Sequence, residues 1–331
     1  MNTNYGPNNG PNLARLEPLR ARFGEERAKG VFREAAQKNR QTAAVMVNDE
    51  NLRFRTLFAL MPDIKQQEMY EELVPRNRAA LYWTGKILND NELTANLKEE
   101  KDPITEHEAL VWMLKSGFAD DGKDNAFARV LDGAAALLAD RYHDKENLPL
   151  MADMLFRRAR AGYLVHDLAW ALFRANDPQV LRLAANHLRS PQSEEYNLAC
   201  SLLHLEPNER GANRQWQYNN YMNWLDENYD YLYATDESFQ SSNAPNAYAV
   251  DTAAQYLCKP TLRRTEAIET AARAEAELPK DFLKLTKEEK QRLALYSNRL
   301  KKWNPARWED FIKQPVERQI GEANSWGEAG V

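Results

Sequence analysis

The stretch that decides the fold is NLPLMADMLFRRARAGYLVHDLAWALFRAN (147–176) followed by DPQVLRLAANHLRSPQSEEYNLACSLLHLEPN (177–208). Apolar residues recur in it at steps of three and four, the period of a helix with one buried face. Both halves follow one plan: a short helix, a turn, a second helix and a closing asparagine, Asn176 or Asn208. The second helices align at a step of 30, Leu168-Ala169-Trp170-Ala171-Leu172-Phe173 against Leu198-Ala199-Cys200-Ser201-Leu202-Leu203. A helical pair cannot bury both its faces alone, so such pairs stack. The register predicts a seam of Leu168, Leu172, Leu198 and Leu202. Asp177-Pro178 reads as an N-cap followed by a first-turn proline. Ser193 reads as an N-cap with Glu194 and Glu195 in the first turn, where carboxylates meet the positive helix end.

Helical patterning extends outward on both sides. Residues 1–12, MNTNYGPNNGPN, have the composition of a flexible tail. Residues 13–100 carry helical periodicity, with Pro62-Asp63 predicted to restart one helix and Pro75 to interrupt it. The polar run 89–103 marks a boundary. Thr105 and Glu108 form a capping-box pattern that opens a helix ending at Gly117, and a second helix begins near Asp124. Downstream, helices are predicted over 212–233 and 247–257 with a loop over 238–245 between them. Two charged amphipathic helices follow, over 261–278 and 286–303. Thr286 and Glu289 form another capping box, and the end, 321–331, is predicted to fray. The organisation is thus a tail (1–12), an N-terminal helical region (13–100), solenoid-like repeats (101–210) and a C-terminal helical region (211–331).

Composition supports an all-α chain. Only 13 glycines and 15 prolines occur in 331 residues, too few for a protein of many tight turns. The net charge of −5 disfavours non-specific nucleic-acid binding. Two cysteines, Cys200 and Cys258, cannot build a disulfide framework, which points to a reducing compartment. With no membrane-length apolar run and no secretory pattern at the N-terminus, a cytoplasmic location is expected.

On these residues the stretch 147–208 resembles HEAT or TPR-like α-solenoid repeats, and 103–146 reads as a divergent copy. The resemblance implies a helical-hairpin array that presents an extended surface to other proteins.

Several strings imitate catalytic motifs. Gly117-Phe118-Ala119-Asp120-Asp121-Gly122-Lys123 has the spacing of a phosphate-binding loop, but Asp120 and Asp121 put negative charge where phosphate would sit. Asp124 also replaces the hydroxyl that would hold Mg²⁺, and the string follows a helix rather than a strand. It reads instead as a helix end at Gly117 and a new N-cap at Asp124. Asp226-Glu227-Asn228-Tyr229-Asp230 places Asp226 and Asp230 on one helix face, as in the Mg²⁺-binding motif of terpene synthases. A second metal motif and nearby arginines are missing. Cys200 and His204 lie four apart on one helix, half of a zinc site, although Cys200 reads as a buried hydrophobe. No cofactor and no tightly bound metal are expected.

What remains is a surface argument. Residues 215–258 contain no Lys or Arg, six acids and ten aromatic side chains. Tyr218, Tyr229, Tyr231 and Tyr233 are too many for one buried stripe, and with Asp226 and Asp230 they form a candidate protein-binding face. Such a face suits a basic helix or tail, of this chain or a partner. Arg15 to Arg40, with eight bases and four acids, is one candidate. The reading is an adaptor, scaffold or assembly protein. The alternatives are a Mg²⁺-dependent helical enzyme built on Asp226 and Asp230, or a HEAT-like nucleic-acid module if Arg157, Arg158 and Arg160 line a basic groove.

Overall fold

The structure, a computed structural model, describes residues 15–122, 124–207, 213–235, 237–260 and 278–329. The tail expected over 1–12 and nearly all of the helix expected over 261–278 lie outside these residues. The described chain is mostly helical and divides into two compact units between Ala175 and Asn176. That division falls inside the stretch 147–208, just before Asp177-Pro178.

The first unit comprises α1 (Leu16–Phe23), α2 (Glu25–Lys38), α3 (Arg40–Val47), α4 (Phe54–Gln66), α5 (Pro75–Leu88), α6 (Asn91–Leu97), α7 (Pro103–Gly117), α8 (Asn125–Asp140), α9 (Leu148–Ala161) and α10 (His166–Arg174). Proline opens α5 and α7, where the missing N–H has no intrahelical partner to lose. The box read at Thr105 is displaced: Asp102 is the cap and accepts from the backbone N–H groups of Ile104 and Thr105. Pro62 does not restart a helix but lies inside α4, whose buried Leu57, Leu60 and Ile64 hold the segment to the core. Phe54, Phe58, Trp112 and Phe127 pack ring on ring at 5.2–6.2 Å as the aromatic centre of this core. Gly117 admits the contact of α7 with α8, since a Cβ there would stand 2.9 Å from Leu131.

The phosphate-loop imitation proves to be an acidic hub. After α7 a 3-10 turn (Phe118–Asp120) leads to Asp121 and Asp124, and an arginine from a different helix clamps each aspartate. Arg20 of α1 meets Asp120 at 3.1 Å, Arg158 of α9 meets Asp121 at 2.7 and 2.8 Å, and Arg55 of α4 meets Asp124 at 3.2 Å. Asp124 also caps α8 as read from the sequence. Gly122 sits at φ +80° with the Tyr163 ring where a Cβ would point.

The second unit comprises α11 (Gln179–Asn186), α12 (Ser193–Leu202), α13 (Arg214–Asn228), β1 (Leu232–Ala234), β2 (Tyr248–Val250), α14 (Thr252–Tyr256), α15 (Lys280–Leu283), α16 (Lys287–Trp303), α17 (Pro305–Phe311) and α18 (Val316–Ala329). Its core joins Tyr256, Phe282, Leu293, Tyr296, Leu300 and Phe311. The Thr286–Glu289 capping box forms with both reciprocal bonds. Three expectations are corrected. The helix read over 212–233 stops at Asn228, and its tail becomes a 3-10 turn and β1. β1 pairs antiparallel with β2, Leu232 opposite Val250, in place of the start of the helix read over 247–257. The end expected to fray is helical to Ala329.

Of the four leucines expected in the seam, Leu168, Leu172 and Leu202 are buried, whereas Leu198 is only half-buried. α12 buries Tyr196, Ala199, Cys200 and Leu203, an i, i+3, i+4, i+7 face that turns Leu198 partly outward. Leu198→Ala is therefore expected to lower stability by only about 1 kcal/mol, against about 2–5 for a fully buried leucine. A denaturant midpoint series on the single variant checks this.

Candidate functional site in the second unit

The acidic aromatic segment lies mainly on α13 and β1, and the structure supplies the bases its sequence lacks. Arg182 of α11 bonds Asp226 at 2.6 Å and lies 5.9 Å from the Tyr229 ring. Arg189 lies 4.1 Å over Tyr218, a cation–π contact. Arg299 of α16 pairs with Glu227. The basic segment Arg15 to Arg40 has its own acids within the first unit: Arg20 takes Glu17 and Asp120, Arg33 takes Asp63, and Arg40 takes Glu72.

The six residues singled out from sequence do not form one surface. Tyr231 is core: it is 4 % exposed, and its hydroxyl donates to Asn298 Oδ1 of α16 at 3.0 Å. Burial pushes that phenol up to about 12. Two tyrosines two residues apart point to different sides, and Tyr231 is the one that turns inward. Tyr218 and Tyr229 are half-buried under their arginines, while Tyr233, Asp226 and Asp230 stay exposed. Asn298 also donates to the backbone carbonyl of Glu227, so the segment is docked on α16 through buried hydrogen bonds. Tyr231→Phe leaves Asn298 Oδ1 buried without its donor and is expected to cost about 1–3 kcal/mol, read as a shift in the urea midpoint.

The motif candidates take other roles. Asp226 is occupied by Arg182, and no group of three or more metal-ligating side chains is close together among the described residues. Cys200 is fully buried and burial raises its thiol pKa, while His204 contacts the Pro245 carbonyl at 3.0 Å. Arg157 and Arg158 build no basic groove: Arg158 is buried against Asp121 and Asp132, and Arg157 stacks on Phe118 at 3.9 Å. No helix among the described residues is long and apolar enough to cross a membrane.

Sequence reasoning missed a concavity along α16. A groove of about 800 Å³ opens between α13, α16, α17 and α18. Tyr296, Leu300 and Trp326 form its apolar wall, and Trp303, 79 % exposed, stands at α16's last turn. Arg299 closes one side, its guanidinium 4.7 Å over Trp326, and Arg307 meets Glu322 at 3.3 Å. Lys302 lines the same groove and has no acidic partner among the described residues. Glu227 carries the groove wall back to α13. One face of that helix presents Trp216 (60 % exposed), Asn220, Asn223 and Trp224 (41 %) at three- and four-residue steps. One signal in the sequence did point here: 291–307 holds five bases and no acid, the complement of 215–258.

No protein-family model, curated protein or solved structure matches this chain.

Proposed function

We propose that this chain is a protein-interaction component, an adaptor or assembly protein, and that the groove of the second unit is where a partner docks. The observation that carries the reading is the exposure of Trp303 at an aromatic-walled concavity, with Trp216 and Trp224 exposed on α13, the helix that contributes Glu227 to its lining. Large rigid aromatics left in water next to a groove are what a partner's side chains desolvate, and tryptophan is enriched among residues that dominate interface energies. The groove is lined by charged side chains and aromatic rings, and its one serine, Ser325, donates its hydroxyl to the Gly321 carbonyl rather than to a base, which favours binding over catalysis. In this reading α9–α10 and α11–α12 are each a solenoid-like helical pair, and two free thiols suit a cytoplasmic setting.

The test is site-specific photo-crosslinking from position 303 in cells, followed by mass spectrometry. A discrete protein adduct, lost when Trp216 and Trp224 are both changed to Ala, is expected. Labelling of water and small molecules alone would end the reading.

A further inference from the structure

We infer that the partner segment is acidic and amphipathic, a helix or peptide that inserts an apolar side chain against Trp303 and Trp326 and sets carboxylates on Lys302 and Arg307. This rests on the docking function proposed above and adds the chemistry of the occupant.

The charges around the groove are asymmetric in availability. Both glutamates are engaged, Glu227 by Arg299 and Glu322 by Arg307. A basic segment entering the groove would have to displace one of those arginines and would still face Lys302. An acidic segment displaces nothing. Among the described residues nothing claims the three N–H donors of Lys302, and Arg307, half exposed, spends a single bond on Glu322 out of the five its guanidinium can donate. A forked guanidinium matches a carboxylate, and such charge-assisted bonds strengthen as the indoles exclude water around them.

The apolar half of the recognition follows from shape. The wall of Tyr296, Leu300 and Trp326 accepts an inserted side chain, and Glu227 ties the groove to α13. Trp216 and Trp224 are eight residues apart, about 12 Å along the helix axis. That is two turns, the spacing at which a second amphipathic helix lays successive apolar residues on a surface. The segment 215–258, by contrast, already has Arg182, Arg189 and Arg299 on its acids and rings, so the acidic aromatic face itself does not call for a basic partner.

The experiment uses the full chain and two fluorescein-labelled amphipathic peptides, each with Leu on one helical face and with Glu or Lys on the other. Binding is read by anisotropy at several salt concentrations. The Leu/Glu peptide is expected to bind at least about 10-fold tighter than the Leu/Lys peptide. Lys302→Glu/Arg307→Glu should reverse that preference, and Trp303→Ala should weaken binding at least about 10-fold. Both variants change exposed side chains, and circular dichroism confirms that they fold. Preference for the Leu/Lys peptide at a Trp303-dependent site would overturn the acidic partner while leaving the docking function standing. Binding of neither peptide, or binding indifferent to all three substitutions, overturns the inference; the crosslink from position 303 then decides separately whether the docking function survives. Tighter binding of oligo-dT, or of phosphatidylglycerol vesicles, abolished by Lys302→Glu/Arg307→Glu, would also overturn it in favour of a nucleic acid or a lipid surface.

Discussion

Arg158→Ala is expected to destabilise the first unit by about 3–5 kcal/mol, enough to remove a large part of the stability of an ordinary domain. Arg158 is buried, and its guanidinium is shared by two carboxylates: Asp121, fully buried, at 2.7 Å and Asp132 at 2.8 Å. It also donates to the carbonyl of Ala128 at 3.3 Å. Deleting it leaves two carboxylates with Arg157, 3.7 Å from Asp121 and already stacked on Phe118, as the nearby cation among the described residues. The loss is therefore the desolvation of uncompensated charge more than the loss of attraction. Arg158→Lys should fall between wild type and alanine, because an ammonium cannot serve both carboxylates with a planar fork. Urea unfolding followed by intrinsic fluorescence and circular dichroism measures all three proteins. Equal midpoints for wild type and alanine would mean that the hub around Asp121 does not hold the unit together.

The same hub shows how far the sequence could be read. Asp120 and Asp121 argued against phosphate from their type and position alone, and Asp124 announced its cap. What neutralises them was not legible, because Arg20, Arg55 and Arg158 stand 100, 69 and 37 residues away. The second unit repeats the lesson. A run of 44 residues without a base was visible at 215–258, but Arg182 and Arg299 reach it from other helices. Long helices with caps, such as α8 and α16, could be placed within a residue or two. β1 and β2 could not: three residues each are too few to show a period, and their pairing joins Leu232 to Val250 across a polar loop. Tyr231 was misjudged because counting tyrosines per face ignores Asn298, which gives a buried hydroxyl its partner. The groove emerges only when α13, α16, α17 and α18 are brought together, so its trace in the sequence was the base-rich, acid-free run 291–307 around Trp303.

The second large effect is a pH dependence seated in Asp132. Its side chain is 13 % exposed, and burial, outweighing the attraction of Arg158 and reinforced by Asp121 and Asp167, pushes its pKa up to about 7 from 3.8. Because the folded state holds this proton more tightly than the unfolded chain, the carboxyl contributes most to stability at low pH. That contribution is lost progressively as pH rises from about 4 to about 7 and is gone above that window. Three units of difference correspond to about 4 kcal/mol as an upper figure. Asp132→Asn removes the titration yet keeps an oxygen that can accept from Arg158. Relative to wild type, the variant should gain stability steadily between about pH 4 and about pH 7, by up to about 4 kcal/mol, and level off above that. Carboxylates held below their usual range, such as Asp124 under Arg55 and Asp144 beside Asn147 and His107, release their stabilisation at more acid pH, so they are common to both proteins in this window. Urea midpoints for the pair across that range isolate the one group. Parallel profiles would show that Asp132 is ionised throughout, with Arg158 able to neutralise both carboxylates. A profile that converges at low pH and separates at high pH would show that the buried pair shares one cation at the expense of a charge it does not fully accommodate.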